Sequence, residues 1–285
     1  MGFLDEKMIV ITGGSLGIGF ATAKKCVSEV ATVCIAARNL TDLENALSDL
    51  KNMSKKNHRC YSLNVGQFTQ VQNFTEWCVN EFGKIDGLVN CASIYGPIGK
   101  TSQVDMDHFL KALHINFYGT VSMCHSFVPI FNVASRKKIV NYSGGGAATP
   151  FPNYSAYATS KAAIVRFTEN LSFELADEGF DVNCIAPGFV VTRLHQQTLD
   201  AGPEKASESF LEQTKQTIEN GGVPPEKAAD LTAFLLSEKS DGISGKFLSA
   251  PWDPWEDETF RNNLRNDKDL ATLRRIDNKY FYKKV

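Results

Sequence analysis

No apolar run in the 285 residues approaches the roughly 20 that a membrane-crossing helix needs. Cys-x-x-Cys is also missing. Seven scattered cysteines (Cys26, Cys34, Cys60, Cys78, Cys91, Cys124, Cys184) make an odd count, which suits buried thiols in a reducing compartment. The five histidines form neither His-x-x-x-His nor a mixed Cys/His cluster, so no zinc site is expected. Neither charge dominates: 30 Lys and Arg face 32 Asp and Glu, and the net charge of −2 removes the motive for binding nucleic acid or anionic lipid. The stretch from Met1 to Lys7 is too short and too acidic for a secretory signal. Glu6 stands where a myristoylation motif starting at Gly2 wants Ser or Thr. These absences describe a cytoplasmic protein without a nucleic-acid or membrane partner. Internal repeats and low-complexity segments are absent too.

What remains is an ordinary globular composition, 43% hydrophobic and 22% charged. Short β-rich apolar runs alternate with longer helical patterns, which predicts an α/β fold: one doubly wound, seven-stranded parallel sheet with helices on both faces. Strands are expected at Met8–Thr12, Thr32–Ala37, Arg59–Leu63, Gly87–Asn90, Lys138–Tyr142, Asp181–Ile185 and Gly245–Ser249. Helical patterns occupy Leu16–Glu29, Asp42–Leu50, Val71–Phe82 and Ser155–Ala176. Residues 1–250 read as one domain. Within it, Arg193–Gly222 is a polar, Gly/Pro-punctuated excursion over one sheet edge, and 251–285 is a charged tail suited to a surface segment or an arm on a neighbouring subunit.

The first strand runs into Thr12-Gly-Gly-Ser-Leu-Gly-Ile-Gly19, and a helix follows at once. Glycines at Gly13, Gly17 and Gly19 permit a tight turn and let a pyrophosphate approach backbone N–H groups at a helix N-terminus. Strand, turn and helix in that order point to a dinucleotide site. The second strand ends in Arg38 and Asn39, with no Asp or Glu between Val30 and Leu40. A carboxylate there would accept the ribose hydroxyls of NAD, whereas an arginine pairs with the 2′-phosphate of NADP. NADP(H) is therefore favoured over NAD(H).

Tyr157 and Lys161 lie four residues apart in a run of helix formers, hence on one helix face. A free phenol titrates near about 10, too high for proton exchange at neutrality. A neighbouring cation and a cationic nicotinamide would stabilise the phenolate and lower that value, giving a general acid/base for a carbonyl–alcohol reaction. With eight tyrosines and 30 Lys and Arg in the chain, about one such pair arises by chance. Tyr280 and Lys284 are such a pair and are assigned no role.

In order, these residues resemble the short-chain dehydrogenase/reductase family. The landmarks are Thr12–Gly19, Asn90-Cys-Ala-Ser93, Asn116 in His-Ile-Asn-Phe-Tyr-Gly, Asn141-Tyr-Ser143, Tyr157 with Lys161, and Pro187-Gly188 with Thr192. The match covers about Lys7 to Ser249. The resemblance implies that Tyr157 is the acid/base and that Lys161 holds the nicotinamide ribose and depresses the tyrosine pKa. It implies that Asn116 helps hold a proton-relaying water. Ser15, Leu16 and Ile18 share the phosphate turn with its glycines. Asn90 and Ala92 line the adenosine-side ribose, with Asn64 and Val65 near adenine. Pro187, Gly188, Val190 and Thr192 meet the carboxamide and phosphates. The family's catalytic serine usually follows as the second residue of a Ser-Ser pair, where this chain has Ser143-Gly144. Ser143 is expected to fill that role. The family's usual Asp-Gly-Gly-like end is replaced by Pro251-Trp-Asp-Pro-Trp255 and the tail.

Substrate contacts are expected from Ser93, Tyr95, Asn153, Tyr154, Arg193 and His195. This mixture suits a polar carbonyl or alcohol, such as a sugar or nucleotide sugar. Two alternatives stand beside it, a reductase of acyl or lipid-like carbonyls and a catalytically silent dinucleotide sensor. By resemblance, and from apolar outer positions on Asp107–Val133 and Ser155–Ala176, a homodimer or homotetramer is expected.

Overall fold

The computed structural model describes residues 2–276. Tyr280 and Lys284 lie outside the described residues. Seven strands, β1 (Met8–Thr12), β2 (Thr32–Ala37), β3 (Arg59–Ser62), β4 (Gly87–Asn90), β5 (Lys137–Tyr142), β6 (Phe180–Ala186) and β7 (Phe247–Ser249), form one parallel sheet ordered β3-β2-β1-β4-β5-β6-β7. The helices are α1 (Gly17–Ser28), α2 (Leu40–Met53), α3 (Phe68–Phe82), α4 (Met106–Leu113), α5 (Gly119–Phe127), α6 (Ser155–Glu174), α7 (Arg193–Ala206), α8 (Glu208–Glu219), α9 (Pro225–Leu236) and α10 (Glu258–Asn266).

Both sheet faces are covered, which is why the central strands read as unbroken apolar runs. Alternate residues of β1 serve the two layers. Ile9 and Ile11 join α1, α2 and α9 on one side; Met8 and Val10 join α3, α5 and α6 on the other. The strand order reverses between β1 and β4. A crevice opens there at the carboxyl ends of the strands, the place where open α/β sheets take their ligands.

Strand positions agree with expectation to within a residue at most ends. β7 starts later than expected because Gly245 has φ +75°, a left-handed turn rather than extended backbone. α2 starts earlier, at Leu40, because the Asn39 side chain accepts a hydrogen bond from the Asp42 N–H and caps the helix. The excursion is helical, folded as α7 and α8. After β7 the chain returns to its own domain: Trp255 and Leu264 enter the core, and the Ala271 carbonyl accepts the Phe247 N–H. Arg274 pairs with Glu169 of α6 at 2.6 Å.

Candidate active site

At the end of β1 the Thr12 hydroxyl accepts the N–H groups of Cys91 (3.1 Å) and Ala92 (3.3 Å), locking the ends of β1 and β4 together. Gly13 follows with φ +67°, and a Cβ there would lie 2.9 Å from the Ala92 nitrogen. Only glycine fits that bend. The first residues of α1 keep their N–H groups free of any side-chain cap, so the helix presents them, with the positive end of its dipole, to the crevice. Across the opening, a Cβ on Gly17 would meet Thr192 Cγ2 at 3.4 Å, which sets the loop after β6 against the glycine turn. Asn90 Oδ1 and Ser93 Oγ are buried without a hydrogen-bond partner at and just beyond the end of β4. Orphan acceptors and donors, free helix N–H groups and a backbone bend without room for a Cβ all fit a dinucleotide.

Tyr157 and Lys161 lie in the first half of α6, both buried. The Lys161 ammonium donates to the Tyr142 carbonyl at 2.9 Å and sits 5.4 Å from the centre of the Tyr157 ring. Burial pushes Lys161 down to about 8 and, contrary to the expected depression, pushes the Tyr157 phenol up. The protein alone therefore holds a neutral phenol beside an amine that stays protonated at neutrality but loses its proton more easily than a free lysine. Asn116 sits in a π-helical turn, His114–Tyr118, between α4 and α5; such turns often mark functional positions. Its amide donates to the Ile94 carbonyl (2.8 Å) and Ser160 Oγ (2.9 Å) and accepts the Ile94 N–H at 2.8 Å. Its own carbonyl accepts the Thr120 hydroxyl. Asn116 thus ties the loop after β4 to the residue preceding Lys161.

Over Tyr157 lies a cluster of rings. Tyr95 packs edge-on against it at 4.8 Å and against Tyr154 at 5.3 Å; Phe151 stacks on Tyr154 at 4.3 Å. Phe210 of α8 closes on both Phe151 and Tyr154. The Tyr154 hydroxyl donates to Thr198 Oγ1 of α7 at 3.0 Å. His195 is buried between Phe189 (3.9 Å between ring centres) and Tyr95 (6.1 Å).

The sequence pattern described as short chain dehydrogenase matches residues 7–202. The chain belongs to the short-chain dehydrogenase family. Relatives include dehydrogenase/reductase SDR family member 4 of Sus scrofa, 29% identical over 85% of this chain and 85% of its own. The 3-oxoacyl-(acyl-carrier-protein) reductase FabG of Thermotoga maritima is 30% identical over 86% of this chain and 96% of its own. The crystal structure of NAD+-bound xylitol dehydrogenase superposes with a TM-score of 0.78 at 25% identity, covering 86% of this chain and 98% of that one. This short-chain dehydrogenase is accordingly an oxidoreductase enzyme, and the silent-sensor alternative falls away.

The dehydrogenase fold brings together Gly13–Gly19, Ala92 and Thr192 around the crevice, and Tyr157, Lys161, Tyr95, Tyr154 and His195 beside it. Other candidates sit differently. The Asn90 amide donates to Asn141 Oδ1 (2.9 Å) and Cys124 Sγ (3.4 Å), bracing β4 on β5. The Asn64 carbonyl oxygen holds its own turn through the Gly66 N–H. Arg193 points outward, 73% exposed, and pairs with Asp42 of α2 at 3.2 Å, so it does not join the ring cluster. Asn153 adopts φ +67° and gives its carbonyl to the Gly99 N–H.

The sharpest difference concerns Ser143. Its hydroxyl donates to the Lys161 carbonyl at 3.1 Å, on the α6 side of β5, because alternation along the strand sends Tyr142 to the α1/α9 face and Ser143 to the other. At Gly144 a Cβ would stand 2.5 Å from the Tyr157 hydroxyl, so the phenol fills the space that a serine would need. Sequence reasoning passed over Ser160, Thr198, Phe189 and Phe210. Ser160 borders Lys161, and Thr198 lies one turn from Leu194 and His195, so helical spacing could have pointed to both.

Proposed function

We propose that this enzyme interconverts a carbonyl and an alcohol with NADP(H), Tyr157 exchanging the proton at the substrate oxygen. The carrying observation is the buried Tyr157–Lys161 pair at the dinucleotide crevice. Bound nicotinamide supplies or accepts the hydride. The chain does the rest. Gly13, Ser15, Leu16, Gly17, Ile18 and Gly19 would hold the diphosphate at the α1 N-terminus, Asn64, Val65 and Ala92 would flank the adenosine, and Pro187, Gly188, Val190 and Thr192 would hold the nicotinamide end. When Tyr157 gives its proton to the carbonyl oxygen, the phenolate left behind has the Lys161 cation 5.4 Å from its ring centre, which stabilises it. Arg38 supports NADP(H) over NAD(H): it is exposed at the end of β2 and has no ion-pair partner among the described residues.

Relatives are named for substrates as unlike as xylitol and a 3-oxoacyl-(acyl-carrier-protein), so the substrate follows from local geometry. The cover over Tyr157 is aromatic and uncharged, and Arg193 faces Asp42. That favours a neutral carbonyl compound with a compact apolar body over a nucleotide sugar. A cytoplasmic setting fits seven unpaired cysteines, several with thiols that burial pushes up to about 12. No described helix is long and apolar enough to cross a membrane. Exposed Met106, Leu110, Tyr118 and Phe173 on α4, the π turn and α6 support a homodimer or homotetramer, which a solution mass near 31.4 kDa would refute.

The test is consumption of NADPH, and separately of NADH, with acetophenone, cyclohexanone and isatin, followed by absorbance. Turnover with NADPH is expected. If neither cofactor is consumed with any of these ketones, the reading fails.

A further inference from the structure

The end of β5 offers no side-chain hydrogen-bond donor for the substrate oxygen. Ser143 is engaged with the Lys161 carbonyl, the Gly144 position is filled by the Tyr157 phenol, and Gly145 and Gly146 carry no side chain. A carbonyl that receives a hydride at carbon gains negative charge on oxygen, and such charge needs a fixed donor. Resting on the carbonyl–alcohol reading above, we propose that His195 is that donor, giving a hydrogen bond from Nε2–H to the substrate oxygen.

Three observations carry the assignment. The first is local. His195 is the third residue of α7 and forms a capping box with Thr192: the Thr192 side chain accepts the His195 backbone N–H, and the Thr192 N–H donates to His195 Nδ1 at 3.4 Å. Glu or Gln usually takes this place. With Nδ1 accepting, the ring proton resides on Nε2, for which no protein partner exists among the described residues. The second is position. The ring is 8% exposed, stacked at 3.9 Å on Phe189 of the loop after β6, and edge-packed with Tyr95, which itself packs on Tyr157. The third is competition. The Tyr154 hydroxyl is engaged with Thr198, and Arg193 faces Asp42, so these two neighbouring polar groups are committed elsewhere.

Burial pushes the imidazole down to about 4, and the positive end of the α7 dipole acts in the same direction. His195 is thus a neutral donor rather than an acid, the arrangement in which a histidine at a helix N-terminus polarises a carbonyl without surrendering a proton. In reduction, the hydride and its electron pair come from the reduced nicotinamide and form the new C–H bond. The carbonyl π pair moves to oxygen, the Tyr157 O–H bond breaks, and its proton goes to that oxygen. His195 neither gains nor loses a proton. Sequence inspection names His195 only as one polar residue of a cover; the capping box decides which nitrogen is free.

Two measurements test this. Nitrogen-15 NMR of imidazole-labelled wild type with NADP+ bound is expected to show His195 as the neutral Nε2–H tautomer from pH 5 to 8. Titration near the ordinary histidine value of about 6.5, or a proton on Nδ1, would overturn the proposal. For turnover of the ketones named above with NADPH, His195→Phe keeps a ring but no donor. Its kcat is expected to fall about 10²–10³-fold, with KM and NADPH affinity nearly unchanged. His195→Gln keeps both the cap and an N–H donor and is expected to recover at least roughly tenfold of the loss. An active wild type whose folded His195→Phe variant keeps its kcat overturns the histidine's role alone; a wild type without turnover overturns the function on which that role rests.

Discussion

The two sides of the crevice are built from different materials. The β1–α1–β2 side is made chiefly of backbone, a glycine turn and free helix N–H groups within about one βαβ unit, clamped to the end of β4 by the Thr12 hydroxyl. The side beneath α7 and α8 is made of rings contributed by Tyr95, Phe151, Tyr154, Tyr157, His195 and Phe210, which are scattered along more than a hundred residues. A backbone site recognises a chemical group common to every reaction of the family and leaves its glycines in the sequence. A side-chain site recognises whatever the rings enclose and leaves no local pattern. The contrast is consistent with relatives that carry names of unlike substrates.

The largest expected effect breaks one side and spares the other. Tyr157→Phe should lower ketone turnover about 10²–10⁴-fold while NADPH affinity, read by fluorescence titration, stays within about threefold. A near wild-type rate would remove Tyr157 from the chemistry. Gly144→Ser restores the residue usual in the family yet should cost on the order of 10²-fold in kcat, because the new Cβ displaces the phenol by about an ångström. Unchanged or improved kcat would show that the strand end has room.

Lys161 joins the two sides, and its burial has a pH signature. Below about 8 the amine is protonated both folded and unfolded, and the folded protein bears the full cost of the buried cation. Between about 8 and about 10.4 the unfolded chain still holds a proton that the folded protein has released. Wild-type stability relative to Lys161→Met should therefore rise across that window, by roughly 3 kcal/mol at most. Denaturant melts of both proteins at pH 7 and pH 10 measure it; a difference independent of pH would refute the shift. Arg38→Asp should shift the ratio of NADPH to NADH affinities by at least about tenfold towards NADH, sharpening the backbone side with its one charged contact. Wild type binding NADH as tightly as NADPH would refute that contact. Smallest of all, Ser143→Ala should change kcat by less than about threefold, since its hydroxyl serves the Lys161 carbonyl. A tenfold loss would return Ser143 to the reacting oxygen.

The sheet was legible because strands buried on both faces read as apolar runs bounded by turn residues, and β1, β2 and β4 agree with those runs to the residue. The helical excursion was not, because α7 and α8 are polar outside and α7 is broken by Gly202 and Pro203, so their periodicity is weak. Ser143 illustrates the limit. Its place in the chain matches a family landmark to within one residue, but one residue along a strand reverses the face on which a hydroxyl emerges.

What the sequence by itself determined is the local pattern: a tight glycine turn after β1, an arginine in place of a carboxylate at the end of β2, and a tyrosine and lysine one helical turn apart. These follow from spacing within single elements, where backbone geometry is nearly invariant. Only the tertiary structure decided that Gly144 leaves its space to the Tyr157 phenol, that Arg193 faces Asp42, and that His195 enters the ring cluster with Nδ1 capped. Each depends on how separate elements pack, and a side chain's partners across such a packing are set by contacts that no spacing along the chain encodes.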